Sequence, residues 1–246
     1  MESRNFRLDT EWNMIHYPNK PSGFGILIIG DDRHFVNEQG SYWTQNEGKA
    51  ALLKMLNEEG YTIFYSNLYG KNWGSERAFK LARRLYEHLI RTEIINVKIN
   101  IIAEGMGALI ALKLIDEMGP QLIRTCILIN PIFSLKDHLD MEKEHKFFYK
   151  KFLKELADAY NIDIMQVELE VMKKMENFNY PLKIPMKIMH IMTDRRSYNL
   201  AKQTKNRTLK WMEEGIQTSI CYLLPEKKQG IESQIVDFMK QNERIL

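Results

Sequence analysis

The fold is decided by residues 97–112, which read VKINIIAEGMGALIAL. The first half of this stretch is rich in branched aliphatic residues and is short enough for one strand. From Met106 onward, apolar residues recur at the spacing of one helix face. The change of period falls on Glu104-Gly105-Met106-Gly107, so the chain passes from strand to helix through a sharp corner. Glycine tolerates the positive φ that such a corner requires, and the stretch therefore predicts a strand, a tight turn and a helix.

The rest of the chain continues this alternation on both sides of the turn. Short apolar runs predict buried strands, whereas amphipathic spacing predicts helices; a weaker pattern at residues 6–16 indicates one or two further strands. The predicted strands are 26–29, 61–65, 125–129, 186–192 and 218–224, and the main predicted helices are 46–59, one that follows Ser75, 199–214 and 231–242. Alternation of this kind predicts an α/β fold with a mostly parallel sheet covered by helices on both faces.

Residues 132–184 interrupt the alternation. About fifty residues separate two predicted strands, far more than an ordinary connection. Apolar residues at helical spacing, among them Phe147, Phe148 and Phe152, indicate helices within this segment. One interpretation is a helical cap over the carboxyl ends of the strands, where open α/β sheets bind ligands. The other is an extra crossover helix that forms a dimer surface.

Composition excludes several classes of protein. Net charge is +3, with 35 basic and 32 acidic residues interspersed, so the concentrated basic stripe of a nucleic-acid binder is absent. No apolar run approaches the length of a membrane span, and the first residues lack the apolar core of a signal peptide. Cys126 and Cys221 both fall in predicted strands, and we interpret them as reduced thiols. We expect a cytoplasmic protein that binds neither nucleic acid nor membrane.

The turn at residues 103–107 has the frame of the nucleophile elbow, G-x-S-x-G, in which a sharp strand-to-helix corner exposes a serine. Gly105 occupies the position of that serine. Glycine has no side chain, so it cannot attack a carbonyl.

From about residue 20 to the C-terminus, the chain resembles the α/β-hydrolase family. The matching segments follow one another in the family's order: the strand that leads to the oxyanion loop, the turn after the next strand, the elbow, the strand that delivers the triad acid, and the segment that carries the triad histidine. In this sequence they are Gly25 to Gly30, Asn67 to Gly70, 103–107, 185–194 and 223–230. The resemblance implies an α/β-hydrolase-like core at residues 1–131 and 185–246, with a helical cap inserted at 132–184.

The catalytic chemistry does not carry over with the resemblance. Asp194 falls on the triad acid, but Gln229 falls on the triad histidine and Gly105 on the nucleophile. A triad needs an activated hydroxyl, an imidazole and a carboxylate that orients it. Glutamine cannot exchange a proton near neutral pH as imidazole does. The resemblance therefore implies a degenerate triad with no intact catalytic set.

The oxyanion region also departs from the family's pattern. By resemblance, its two donors are the backbone N–H groups of Asp31 and Met106. The carboxylates of Asp31 and Asp32, together with Glu104, would oppose a developing oxyanion there. Alternatively, the Asp31 and Asp32 side chains point to solvent, cap a neighbouring turn or pair with Arg33.

We expect a pocket above the turn, because phenylalanine and methionine in residues 132–184 suit an apolar site with a few polar groups. Besides the triad and oxyanion positions, its expected lining is Gly30, Asp32, Glu104, Phe147, Phe148 and Phe152. The expected ligand is a small apolar or acyl-type molecule, and no cofactor is expected.

Other side chains offer weaker alternatives. Asp31, Asp32, Asp194, His34 and His190 could converge on a metal, but no metal-ligand spacing supports this, so we expect none. A histidine within a strand, such as His190, is more often a hydrogen-bonded core residue. Ser134 and His138 have the spacing of a pair on one helix face, although a surface helix start explains them as well.

Three hypotheses for function remain open. The first is a non-catalytic protein that keeps the pocket and binds a ligand or a partner. The second is an esterase-like or acyl-transfer hydrolase with relocated catalytic residues. The third is an oligomeric scaffold, for example a homodimer built on the residues at 132–184.

Overall fold

A sheet of eight strands forms the centre of the protein. The computed structural model describes residues 1–143, 146–174, 184–193, 195–224 and 230–243. In chain order the strands are β1 (Glu2–Leu8), β2 (Glu11–Tyr17), β3 (Gly25–Ile29), β4 (Thr62–Ser66), β5 (Ile99–Glu104), β6 (Ile123–Ile129), β7 (Met186–Ile191) and β8 (Thr218–Leu223). Their order across the sheet is β1-β2-β4-β3-β5-β6-β7-β8.

The sheet is parallel from β4 to β8, as predicted. Among the described strands, β2 runs opposite to all the others, pairing antiparallel with both β1 and β4. The weak pattern at residues 6–16 therefore corresponds to two strands at one edge of the sheet. Ile29 of β3 lies beside Ala103 of β5, so these two strands end next to each other.

The helices cover both faces of the sheet. They are α1 (Tyr42–Gln45), α2 (Glu47–Glu58), α3 (Glu76–Thr92), α4 (Gly107–Leu122), α5 (Leu135–Glu142), α6 (Lys146–Tyr160), α7 (Val167–Lys174), α8 (Arg195–Glu213) and α9 (Ile231–Gln241), with a short 3-10 helix at Ile164–Gln166. Within the described ranges, every helix is too short or too polar to cross a lipid bilayer.

Strand β5 is buried over its whole length because it lies in the middle of the parallel sheet. Its alternate side chains enter two different cores: Ile101 and Ala103 join the core beneath α3 and α4, and Ile102 joins the core beneath α2 and α9. This explains why Ile101, Ile102 and Ala103 are apolar in succession, with no polar alternation. The buried Asn100 accepts a hydrogen bond from the hydroxyl of Thr125 at 2.7 Å. Cys126 and Cys221 are free thiols, the first buried in β6 and the second partly buried in β8.

Helices α5, α6 and α7 form a helical insertion between β6 and β7. Their apolar side chains pack in a third cluster that also contains Trp73, Met106 and Leu109. Since Met106 follows β5 directly, the insertion lies over the carboxyl ends of the strands. This position matches the cap interpretation, although residues 175–183 of the predicted segment lie outside the described residues.

Gly107, the first residue of α4, lies against the end of β3. A Cβ atom on Gly107 would be 2.5 Å from the carbonyl oxygen of Ile29 and 2.8 Å from that of Gly30. Atoms of the main chain cannot give way as the end of a flexible side chain can. The contact therefore requires glycine at this position.

We expect Gly107→Ala to destabilise the fold strongly, because the new methyl group would push α4 away from β3. Gly48→Ala is the matched control, because Gly48 lies in the exposed first turn of α2. A Cβ atom on Gly48 would be 3.7 Å from its nearest neighbour, Oδ1 of Asn46. Alanine in a helix is favoured over glycine by roughly 0.5–1 kcal/mol, so the control should be neutral or stabilising. Urea unfolding of both variants measures the difference, and equal midpoints would contradict the close approach.

Candidate functional site

A cavity of about 590 Å³ lies between the carboxyl ends of the strands and the helical insertion. Its floor is formed by the loop after β3 and the turn after β5, and its walls by the loop after β4, the insertion and the start of α8. The cavity lining includes Asp31, Asp32, Arg33, Lys49, Lys71, Trp73, Glu104, Gly105, His138, Phe148, Lys151, Phe152, Glu155 and Ser197. A volume of this size falls within the range of about 300–1,000 Å³ that is usual for small-molecule sites.

The turn after β5 is held by hydrogen bonds to the end of β6. Gly105 has φ of 48°, the left-handed conformation expected from its sequence. Its N–H donates to the carbonyl of Ile129 at 3.0 Å, and its carbonyl accepts from the N–H of Ile132 at 2.9 Å. The corner is therefore fixed from both sides, and Met106 follows it as the N-cap residue of α4.

The carboxylate of Asp31 fills the space above Gly105. The Met106 N–H donates to Oδ1 of Asp31 at 3.0 Å. A Cβ atom on Gly105 would clash with the carboxyl group of Asp31, at 2.1 Å from its Cγ and Oδ1. The N–H expected to be an oxyanion donor is therefore already bonded to a carboxylate of the protein, at the positive end of the α4 dipole.

Asp31 and Asp32 have different orientations in the structure. Asp31 turns inward and accepts the N–H of Met106, so it caps a neighbouring turn, one of the expected alternatives, and it neither points to solvent nor pairs with Arg33. Asp32 and Arg33 are exposed at the edge of the cavity. The difference arises because Gly105 leaves a volume of side-chain size, which only the nearer carboxylate enters.

Burial raises the pKa of Asp31 above its ordinary value. The hydrogen bond from Met106 acts in the opposite direction, while the neighbouring charges of Asp32 and Glu104 raise the pKa further. Because desolvation outweighs the hydrogen bond, the ionised form of Asp31 is less favourable in the folded chain than in water.

Glu104, at the end of β5, is held in an ion pair with Lys49 of α2. The ammonium group of Lys49 also lies 4.8 Å from the ring centroid of the buried Trp43. The charge of Lys49 therefore interacts with a carboxylate and with an indole face. Glu104 therefore has a cation from within the chain, and among the described residues Asp31 has none.

The opposite wall depends on a link between the loop after β4 and helix α6. The indole N–H of Trp73 donates to Oε2 of Glu155 at 3.1 Å, and Nζ of Lys71 donates to Oε1 at 2.5 Å. Tyr160 donates its hydroxyl to the carbonyl of Trp73 at 2.9 Å. These bonds tie the insertion to the core along one side of the cavity.

This wall is aromatic on its inner side. The rings of Trp73 and Phe152 meet edge to face with centroids 4.5 Å apart, and His138 packs 5.0 Å from Phe152. Trp73 itself has φ of 44°, and Leu68 and Tyr69 earlier in the same loop also have positive φ. Such backbone conformations are unfavourable for these residues and cluster at ligand sites.

Two residues expected in the pocket do not line it. Gly30 is covered by the ring of His34, whose Nε2 donates to the carbonyl of Ser66 at 2.9 Å and whose pKa burial lowers to about 4. Phe147 is 76% exposed, whereas Phe148 and Phe152 line the cavity. Phe148 and Phe152 are four residues apart and share a helix face, and Phe147 is rotated from that face by about 100°.

Asp194 and Gln229, predicted at the triad positions, lie outside the described residues. The remaining predictions for this edge of the sheet have clear outcomes. Ser134 is the N-cap of α5, accepting from the N–H of Asp137 at 3.1 Å, so it begins a helix. His190 is a buried strand residue bonded to the hydroxyl of Thr204 at 2.8 Å, as expected for a core histidine. In the part of the chain that the structure describes, no group of three or more acidic, histidine or cysteine residues is arranged to hold a metal.

Sequence reasoning missed Trp73, Lys49 and Glu155. The available signal for Trp73 was its loop, which follows β4 and therefore lies at the carboxyl edge of the sheet. Lys49 and Glu155 gave no signal, because each lies on an amphipathic helix where a charged residue is normally solvated.

No protein-family model and no curated protein sequence matches this chain. Many solved structures match its fold. The chain has the α/β-hydrolase fold.

Three of these structures illustrate the likeness. Est1E from Butyrivibrio proteoclasticus has a TM-score of 0.61 at 13% identity, over 97% of this chain and 99% of its own. A lipase in its open form has a TM-score of 0.68 at 10% identity, over 98% and 99%. Potato (Solanum tuberosum) epoxide hydrolase I has a TM-score of 0.63 at 12% identity, over 98% and 100%. At such identities, the likeness to the α/β-hydrolase fold concerns architecture.

We expect Asp31→Asn to raise the melting temperature at pH 7–8. The folded state raises the pKa of Asp31 above 3.8, so ionisation weakens folding as pH rises through that pKa, and the full penalty is present at neutral pH. Asparagine keeps an oxygen for the Met106 N–H and carries no charge. In a chain of this size, each kcal/mol gained in the free energy of unfolding raises the melting temperature by about 2–4 °C.

The gain should diminish as the pH falls and disappear well below 3.8, where Asp31 is protonated in both the folded and the unfolded state. Asp32→Asn, which makes the same change of charge at the exposed neighbour, is the control and should shift the melting temperature less. A lower melting temperature for Asp31→Asn at pH 8 would contradict this account of the buried carboxylate.

Proposed function

We propose that this protein is a non-hydrolytic member of its fold that binds a small molecule in the cavity above the turn at Gly105. One observation carries the proposal: the Asp31 carboxylate occupies the space above Gly105 and accepts the N–H of Met106. In a serine hydrolase of this fold, that space belongs to the nucleophile and that N–H to the oxyanion. Both are taken by a side chain of the chain itself.

Electrostatics support the same conclusion. Acyl transfer needs donors aimed at a negative charge that develops in the transition state. Here a carboxylate stands at that place, with Asp32 and Glu104 close enough to raise its pKa. A second negative charge at this place would be repelled, so an ester is not activated by the site.

The cavity nevertheless remains open and bounded by the insertion, which we interpret as a cap. Phe148 and Phe152 contribute to its wall without filling it, since about 590 Å³ of space remains. A cavity of this size with an aromatic wall and charged groups along its lining can hold a small molecule. This supports the binding hypothesis over the scaffold hypothesis.

A second candidate, a hydrolase with a relocated nucleophile, is favoured by one observation. Ser197, near the start of α8, contributes to the cavity lining, and its hydroxyl accepts the N–H of Thr193 at 2.9 Å. The solved structures of the same fold include a lipase and an epoxide hydrolase. This candidate predicts covalent labelling at Ser197, so a labelling experiment separates it from the first.

We expect the purified protein to show neither labelling by a fluorophosphonate probe nor saturable hydrolysis of short-chain p-nitrophenyl esters. Intact-mass spectrometry after incubation with the probe, followed by peptide mapping, measures labelling directly. Ser197→Ala is the control that identifies a relocated nucleophile. Stoichiometric labelling that Ser197→Ala abolishes would overturn the proposal in favour of the second candidate.

Restoring a serine at 105 should fail on its own for a steric reason. Gly105→Ser places a Cβ atom where the Asp31 carboxyl group lies, so the variant should be less stable and inactive. Asp31→Ala should recover the steric part of this loss, and the strain of serine at a positive φ should remain. A double-mutant cycle of urea unfolding should therefore show a favourable coupling energy between the two positions. Strictly additive effects would contradict the contact between the two positions.

Adding Gln229→His to this pair supplies the base that the sequence alignment places there, and only then do we expect weak ester turnover. The matched control lacks Gln229→His and should be inactive. Equal turnover with and without this substitution would show that position 229 does not serve as the base.

A further inference from the structure

The charges that line the cavity are unevenly compensated. Glu104 is paired with Lys49. Glu155 accepts Lys71 at 2.5 Å and has Lys151 at 4.0 Å. Among the described residues, by contrast, no ion pair joins Asp31 or Asp32 to a basic side chain, and Arg33 beside them is exposed.

The inner of these two carboxylates is also the less hydrated. Asp31 is partly buried at the floor, and its carboxylate accepts a hydrogen bond from the Met106 N–H. A carboxylate removed from water without a cation is unfavourable unless a partner supplies the opposite charge. The cavity is the side from which such a partner can approach.

The aromatic wall suits the rest of such a partner. Trp73 and Phe152 present an edge-to-face pair at the cavity surface, and Phe148 extends it. Aromatic faces bind apolar groups and also attract organic cations. The apolar body of a ligand can therefore pack on this aromatic wall. A cationic group on the same ligand can also approach the carboxylate at the floor.

We propose that the site binds a small organic amine, with its ammonium group at the Asp31 carboxylate and its apolar body on the wall of Trp73 and Phe152. The inference rests on the proposed function, since it names the ligand class of the same site. It also departs from the acyl-type ligand that the sequence suggested: an acyl carboxylate would meet the charge of Asp31 at the floor.

The competing ligand is an anion held by Lys71 and Lys151. Both lysines lie near one carboxylate, that of Glu155, which also accepts the indole N–H of Trp73. Their charge is engaged in holding the loop after β4 to α6, and an anion would have to share it. The experiment below includes this outcome.

The test compares three probes with one phenyl body and different end groups: phenethylamine, 2-phenylethanol and 3-phenylpropionate. Dissociation constants are measured at pH 7.5 with the intact chain, from chemical-shift changes in ¹H–¹⁵N spectra. We expect phenethylamine to bind at least tenfold more tightly than 2-phenylethanol, and 3-phenylpropionate to bind most weakly. Tightest binding by 3-phenylpropionate, equal binding by all three, or binding by none would overturn the inference.

Asp31→Asn should lower the affinity for phenethylamine about tenfold and leave that for 2-phenylethanol unchanged. Asp116→Asn makes the same charge change at an exposed position on α4, and it should leave all three affinities unchanged. The dispersion of the spectra confirms folding, and Asp32→Asn provides a second variant with an expected smaller loss. Unchanged phenethylamine affinity in folded Asp31→Asn would overturn the inference.

The two proposals fail in different ways. Ester turnover or fluorophosphonate labelling contradicts the non-hydrolytic function, whatever the order of the three affinities. Binding of 2-phenylethanol or 3-phenylpropionate in preference to phenethylamine leaves that function standing and contradicts only the amine.

Discussion

The close approach of Gly107 to the carboxyl end of β3 is the constraint on which the cavity at the carboxyl ends of the strands depends. Without a side chain at this residue, α4 begins against the Ile29 carbonyl, and its first turn points at the loop after β3. The N–H of Met106 then meets Asp31, and the end of β5 faces α2, where Lys49 pairs with Glu104. The helical insertion packs on the same helix through Met106 and Leu109. The floor, the charges and the cover of the cavity therefore all lie around the start of α4.

The floor of the cavity balances two opposing effects on one carboxylate. The amino end of α4 favours a negative charge, and the hydrogen bond from Met106 adds to that preference. Burial and the neighbouring carboxylates oppose it, and they prevail. A residue that destabilises its own fold is common at ligand sites, where stability is traded for function. The neighbouring Glu104 shows the alternative, because its cation comes from within the chain.

The sequence predicted the fold well because the relevant signals are local. Unbroken apolar strands, helical periodicity and glycine at the corner each act over a few residues, so the sheet, its flanking helices and the turn at Gly105 were all predictable. The site was predictable only in part. The direction of Asp31 depends on the volume that Gly105 leaves empty. The bonds from Lys49 to Glu104 and from Trp73 to Glu155 join residues 55 and 82 positions apart, which no local pattern encodes. Phe147, which was expected at the cavity, is exposed, whereas its neighbour Phe148 lines the cavity. The two side chains differ because adjacent residues of a helix point in directions about 100° apart.

The overlap of the Asp31 carboxyl group with the missing side chain of Gly105 also constrains how such a sequence can change. Two positions 74 residues apart occupy one volume, so neither substitution is independent of the other. A side chain at 105 requires the Asp31 carboxyl group to leave this volume, and a carboxylate fits there at present because 105 is glycine. Substitutions at the two positions are therefore coupled. A lineage that gained a nucleophile at 105 would also have to turn the carboxylate at 31 away or lose it.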